Sequence, residues 1–104
     1  MARITIVSWR DIPAQVIVGK GRTAAKVALP ERFEQAIDRA AMKAGARGDD
    51  AYLAEWRRED AGEATGEPAE AAAAIAARLE AEHDDDRLRA LIANDGRATA
   101  EEAR

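Results

Sequence analysis

Alternating apolar and polar residues mark the first thirty positions as strands. In residues 3–8, Ile4 and Ile6 share one face, which is the two-residue period of a half-buried strand. Residues 14–19 form a second run rich in β-branched residues, and residues 24–29 form a weaker third one. The connections are too short for a crossover, which needs about a dozen residues. The pattern therefore predicts a three-stranded antiparallel β-meander.

The apolar period changes to that of a helix after Pro30. Apolar residues from Phe33 to Ala44 recur at spacings of three and four, so they share one helical face. Pro30 suits the first helical position, and Gly45 is a natural C-terminal stop. The segment is predicted to be an amphipathic helix packed on the sheet.

A second, short helix is predicted over residues 48–58. Asp49 is its expected N-cap, and Tyr52 and Trp56 lie four residues apart on one side. Residues 59–67 contain two glycines and no large apolar residue, which is typical of a linker or loop.

An alanine-rich acidic segment follows from Pro68. Its helix propensity is high, but its apolar stripe is thin. Asp84 or Asp85 would cap a separate second helix, or the two parts would be continuous, and Gly96 ends the segment. The prediction is thus an α+β core domain over 1–58, a linker or loop over 59–67, an acidic helical extension over 68–96 and a frayed tail over 97–104.

Charge divides the chain at the same point. Residues 1–58 carry eleven Lys and Arg against seven Asp and Glu, and residues 59–104 carry five against thirteen. The acidic half would either contact a partner or fold back on a basic face of its own domain. The sequence leaves both readings open.

The residues needed for several kinds of chemistry are absent from the sequence. There is no cysteine, so disulfides, thiol catalysis and cysteine zinc sites are excluded. The lone histidine, His83, lies among acidic residues and is interpreted as solvated, and Ser8, the lone serine, is distant from it in sequence. No apolar run reaches the roughly 18 residues of a membrane span. We therefore expect a cytoplasmic protein with no catalytic residue, no cofactor and no metal site.

The glycines of the second turn do not form a nucleotide site. Gly19 to Ala24 match G-x-G-x-x-A, but a dinucleotide fingerprint must open a helix, and here the chain continues as a strand. A tight turn between strands is the better interpretation. Lys20 and Arg22 still place positive charge on this turn, where an anion or an acidic partner could bind.

The first turn carries an aromatic residue and two charged residues, where Arg10 and Asp11 would pair with each other or Arg10 would hold a helix end. Trp9 would either close the core against the helix at Tyr52 or stand exposed beside Arg10 as a recognition corner, because Trp and Arg are frequent interface anchors. The two turns together form the candidate interaction surface: Trp9, Arg10, Asp11, Lys20 and Arg22. The net charge of −4 and the few aromatic residues argue against a nucleic-acid surface.

Three stretches carry a family resemblance: "WRDIPAQVIVGKG", "LPERFEQAIDRAAMKAG" and "DAYLAEWRR". Over about residues 4–58 the chain resembles the small bacterial proteins and domains of the "virulence factor" family. The family has no established reaction. The resemblance implies two contexts. The similar domain occurs in larger proteins with a NifU-like scaffold domain at their amino terminus, and in many proteobacteria the short form accompanies corrinoid- and folate-dependent methyl-transfer proteins.

The leading expectation is a non-enzymatic accessory or interaction protein, serving a corrinoid- or folate-dependent methyl-transfer system. One alternative is a small anionic-ligand-binding domain that uses Arg10, Lys20 and Arg22. Another is a structural domain that supports an iron–sulfur scaffold-type partner. Exposed sheet edges also leave a dimer open.

Overall fold

The chain forms a four-stranded antiparallel sheet and four helices in a computed structural model that describes residues 2–45 and 48–97. The strands are β1 (Ala2–Trp9), β2 (Ile12–Val18), β3 (Ala25–Ala28) and β4 (Trp56–Ala64). The helices are α1 (Glu31–Ala44), α2 (Asp49–Ala54), α3 (Pro68–Glu82) and α4 (Asp85–Ala93). The α+β class is confirmed, whereas the prediction of three strands is wrong, because the sheet has the order β3-β2-β1-β4.

The predicted meander accounts for three of the four strands. β1 pairs with β2 and β2 with β3, both antiparallel. The first pairing ends with Trp9 opposite Ile12, so that only two residues form the turn between them. The register shifts between Val7 and Ser8 just before this turn, because Ala14 of β2 has no partner on β1.

The fourth strand is the main correction. Most of the segment predicted as a linker or loop over 59–67 belongs to β4, which pairs with β1 along its length. Nearly all of its side chains are exposed, so its stability comes from main-chain pairing rather than from apolar burial. Arg3 on β1 contacts Asp60 across the pair. Gly62, with a φ of 100°, lies where the register shifts.

The helices after Pro30 differ in how well the sequence predicts them. α1 agrees with its expected span, and Gly45 ends it with a φ of 77°. α2 is shorter than predicted, since it stops at Ala54 and the chain turns into β4 at Trp56. Gly48, not Asp49, is its N-cap residue.

The acidic segment folds back on the sheet. α3 contacts β2 and β3, and its buried residues join the same core as the strands. Ala72, Ala76 and Leu79 form its buried face. Asp84 then caps the separate helix α4, where its Oδ1 accepts a hydrogen bond from the Arg87 amide at 2.8 Å. Of the predicted tail over 97–104, all but Arg97 lies outside the described residues.

Arg32 joins α1 to the end of α3. Its guanidinium donates hydrogen bonds to the carbonyl oxygens of Glu80, at 2.9 Å, and of His83. These are carbonyls that a helix C-terminus leaves without intrahelical partners. His83 lies half-buried against the edge of the Phe33 ring.

One face of the sheet carries the core. The fully buried large side chains are Trp9, Ile12, Val16, Val18, Phe33 and Leu91. Ile17 is also buried but stands outside this cluster, because the strand alternation turns it to the opposite face with Thr5 and Lys26 as its cross-strand neighbours.

Candidate functional site

The turn between β1 and β2 is clamped by two other parts of the chain. Arg10 takes a left-handed φ of 52°, which is uncommon for a residue with a side chain. Its amide donates to the Glu55 carbonyl at 3.1 Å, and the Asp11 amide donates to the Gly96 carbonyl at 2.8 Å. Both amides of the turn are therefore used within the molecule.

Trp9 belongs to the core and is not an exposed anchor. Its side chain is fully buried, and its indole N–H donates to the Tyr52 carbonyl at 3.0 Å. Its ring stacks on the Tyr52 ring at a centroid distance of 6.0 Å. Gly96 approaches the ring so closely that a Cβ there would stand 2.9 Å from it.

The charged side chains of this turn are also engaged. Arg10 is only 13% exposed; its guanidinium donates to the Asp95 carbonyl at 2.7 Å and lies 4.9 Å from the centroid of the Trp9 ring. Its Nε is 3.5 Å from a Glu55 carboxylate oxygen. Asp11 accepts a hydrogen bond from Arg57 at 2.6 Å. The clamped turn, Arg10 and Asp11, is thus stabilised from within.

The turn between β2 and β3 is exposed. Gly19 and Gly21 have φ values of 105° and 63°, and Gly21–Thr23 form a single 3-10 turn. Thus the glycines serve a tight turn, and no α-helix follows them. Lys20 and Arg22, its two cations, are exposed.

Four cations surround an open concavity of about 590 Å³ beside this turn. They are Lys20, Arg22, Lys26 and Arg58, and we call the feature the basic concavity. Thr5 and Ile17 contribute to its lining, and no α-helical residue does. Among the described residues, none of the four cations forms an ion pair with a carboxylate. The concavity therefore presents uncompensated positive charge over a partly apolar floor.

The two turns cannot serve one small ligand. They lie at opposite ends of β2, and its seven residues at about 3.3 Å each separate them by about 20 Å or more. Arg10 is accordingly not part of the group formed by Lys20 and Arg22. The sequence interpretation missed Arg58, because it placed this residue in a helix; its position as the Val7 partner on β4 is a long-range pairing.

Metal-binding clusters and membrane spans are both absent from residues 2–45 and 48–97. No group of three or more His, Asp or Glu side chains there is arranged to hold a metal ion. No helix in this range is both long enough and apolar enough to cross a membrane.

Comparison with known protein families finds a match that extends well beyond the first three strands. The model of the virulence factor family matches residues 7–92, which run from β1 into α4 and include β4 and α3. No curated protein and no solved structure shows significant similarity. Because the match covers most of the chain, including both turns, the chain belongs to the virulence factor family.

Proposed function

We propose that this protein is a non-enzymatic accessory protein that binds an acidic surface of a protein partner at the basic concavity. The observation that carries the proposal is the group of four cations without carboxylate partners in the described part of the chain. On a chain of net charge −4, uncompensated cations gathered on one face are not explained by solubility.

The position of the concavity supports a macromolecular partner. It lies on the sheet face opposite the helices, where Ile17 and Thr5 supply a floor between the charges. Helix α3, whose three glutamates outnumber its one arginine, packs on the other side. The resulting charge separation would steer an acidic partner toward the sheet face, and it would do so less at high salt.

The specific form of the proposal concerns methyl transfer. Family resemblance suggests a corrinoid- or folate-dependent methyl-transfer protein as the partner, in the bacterial cytoplasm. This form stands on the family relationship, whereas the basic concavity supports only the acidic character of the partner. An experiment can therefore contradict the methyl-transfer partner without contradicting the acidic partner surface.

Affinity capture from the native cell tests both forms. The charge-reversed variant Lys20→Glu/Arg22→Glu should lose the partner, whereas the matched variant Lys43→Glu/Arg78→Glu, which changes two exposed helical cations, should retain it. If both variants capture the same proteins as the wild type, the basic concavity is not the interface. If the wild-type catch contains no methyl-transfer protein, only the specific form fails.

A small anionic ligand is the second candidate. The concavity volume of about 590 Å³ falls within the usual range of about 300–1,000 Å³ for small-molecule sites. Isothermal titration with phosphate, folates and corrinoids separates this candidate from the first. Heat with one of these ligands that Arg58→Gln abolishes would favour it, and no heat with any would exclude it for these ligands.

A further inference from the structure

A second, smaller pocket lies between α1 and the aromatic side chains of Tyr52 and Trp56. Its volume is about 230 Å³. Its lining also includes Ala14, Ala28, Leu29, Glu34, Ile37 and Asp38. It shares none of its residues with the basic concavity, and its chemistry is the opposite.

Two aromatic rings meet nearly at right angles in this pocket. The Tyr52 and Trp56 centroids are 6.0 Å apart, and the ring planes are inclined at 80°. Both side chains are half-buried, so part of each ring stays accessible. Within residues 2–45 and 48–97, no Lys or Arg side chain stacks over either ring. The negative face of an aromatic ring attracts a cation, and Trp is the strongest such partner.

Two carboxylates add negative charge to the same lining. Glu34 and Asp38 stand one helical turn apart on α1, and both are exposed. Neither forms an ion pair with any cation that the structure describes. Leu29 and Ile37 of the same lining are buried, and they provide an apolar floor. The pocket thus combines ring faces, carboxylates and aliphatic surface.

Tyr52 and Trp56 belong to a row of three contacting aromatic rings, and an arginine of the protein itself already lies over the first ring of this row. The Arg10 guanidinium lies over the Trp9 ring, Trp9 stacks on Tyr52, and Tyr52 meets Trp56. Arg10 occupies the inner end of this series, whereas the outer end opens into the pocket.

We propose that this aromatic pocket binds an organic ammonium cation. The rings and carboxylates would hold the charged nitrogen, and its methyl or methylene groups would contact Leu29 and Ile37. At ~30 Å³ for each water in the liquid, the volume accommodates on the order of seven or eight non-hydrogen atoms, which fits a small quaternary amine. Because no residue is shared with the basic concavity, this proposal does not depend on the proposed function.

Choline and its neutral isostere, in which a tert-butyl group replaces the trimethylammonium group, provide the test. The chain has two tryptophans, so its two indole N–H signals report separately in a proton–nitrogen NMR spectrum. Choline should shift the Trp56 signal in a saturable manner, with affinity about tenfold higher than that of the isostere. Equal shifts with both compounds, or no shift beyond that of sodium chloride, would overturn the proposal.

Two variants test whether the carboxylates and the Trp56 ring of the pocket bind the cation. Glu34→Gln/Asp38→Asn should weaken choline binding about threefold to tenfold, whereas the matched neutralisation Glu31→Gln/Glu70→Gln, outside the pocket, should leave it unchanged. Trp56→Leu, followed at the backbone amide of Ile37, should abolish it. Equal loss in both charge variants would mean that the net charge of the chain, not the pocket, attracts the cation.

The ammonium group could belong to a free amine or to a protein side chain. A short peptide that carries trimethyllysine is compared with choline in the same titration. Tighter binding of choline assigns the pocket to a free amine, and tighter binding of the peptide assigns it to a modified side chain. Failure of both contradicts the proposal.

Discussion

The two turns at the ends of β2 look alike in sequence but differ in what they contact. Each carries an arginine and a second charged residue, and each requires left-handed backbone. In the clamped turn, the two main-chain amides and the Arg10 and Asp11 side chains, together with the neighbouring Trp9, contact α2, β4 and residues 95–96. The Lys20–Arg22 turn leaves its cations exposed. A charged residue in a turn can therefore bind another protein only where no contact within its own fold already engages it.

A difference in stability should accompany the difference in contacts. Substitutions at the clamped turn and at the residues that contact it should lower the free energy of unfolding, whereas substitutions of the cations around the basic concavity should alter binding and leave folding intact. Four substitutions test this contrast by chemical denaturation, each with a counterpart on the side of the exposed turn.

Trp9→Ala should have the largest effect. It removes a fully buried ring, its stacking on Tyr52 and its hydrogen bond to the Tyr52 carbonyl, so we expect a loss of about 3–5 kcal/mol. Arg22→Ala at the exposed turn should change the free energy of unfolding by less than about 0.5 kcal/mol. A Trp9→Ala protein as stable as the wild type would show that the ring is not in the core. The size of this loss also disqualifies Trp9→Ala as a control for binding.

Gly96→Ala should come next, at about 2–4 kcal/mol. An alanine Cβ would stand 2.9 Å from the Trp9 ring, which causes overpacking, and the φ of 86° adds a backbone penalty. Gly21→Ala is the matched control, because its φ is 63° but its new Cβ would meet nothing within 4 Å. It should lose only about 1–2 kcal/mol. Equal losses would mean that the contact with Trp9 contributes nothing beyond backbone strain.

Much of this fold could be predicted from periodicity, because burial leaves a regular pattern. β1, β3 and α1 turn their apolar residues mainly to one face, so these residues recur at the spacing of the element, whereas β2 shows as a run of β-branched residues that is buried on both faces. β4 could not be predicted in this way. Its nine residues are held by main-chain pairing and by ion pairs such as that of Arg57 with Asp11, and neither leaves an apolar pattern.

The candidate site could likewise be predicted only in part, because only local features leave a signal in the sequence. The exposed turn could be placed because two glycines and adjacent cations are local signals. Arg58 joins the basic concavity only through β4, and Gly96 meets Trp9 only after α4 has packed on α1. The signal for Trp9 was present but ambiguous, since a tryptophan beside a turn fits both a core residue and an exposed anchor.

Arg10→Ala should have an intermediate effect, at about 1–2 kcal/mol. It removes the hydrogen bond to the Asp95 carbonyl and the contact with the Trp9 ring face, both in a largely buried setting. Lys20→Ala, at the other turn, should be nearly neutral for stability and should weaken partner binding. If Lys20→Ala destabilises the protein as much as Arg10→Ala does, the exposed turn has structural contacts of similar weight.

Arg57→Gln should have the smallest effect, at about 1 kcal/mol or less, because its ion pairs with Asp11 and Glu59 are exposed to solvent. The loss should shrink at high salt, since screening weakens exposed pairs. Arg58→Gln is a close control: it is the next residue on β4, but it lines the basic concavity, and it should not change stability at any salt concentration. A salt-dependent loss of stability in Arg58→Gln would show that this cation already has a partner within the molecule. The charge that the basic concavity offers to a partner would then be smaller than its four cations imply.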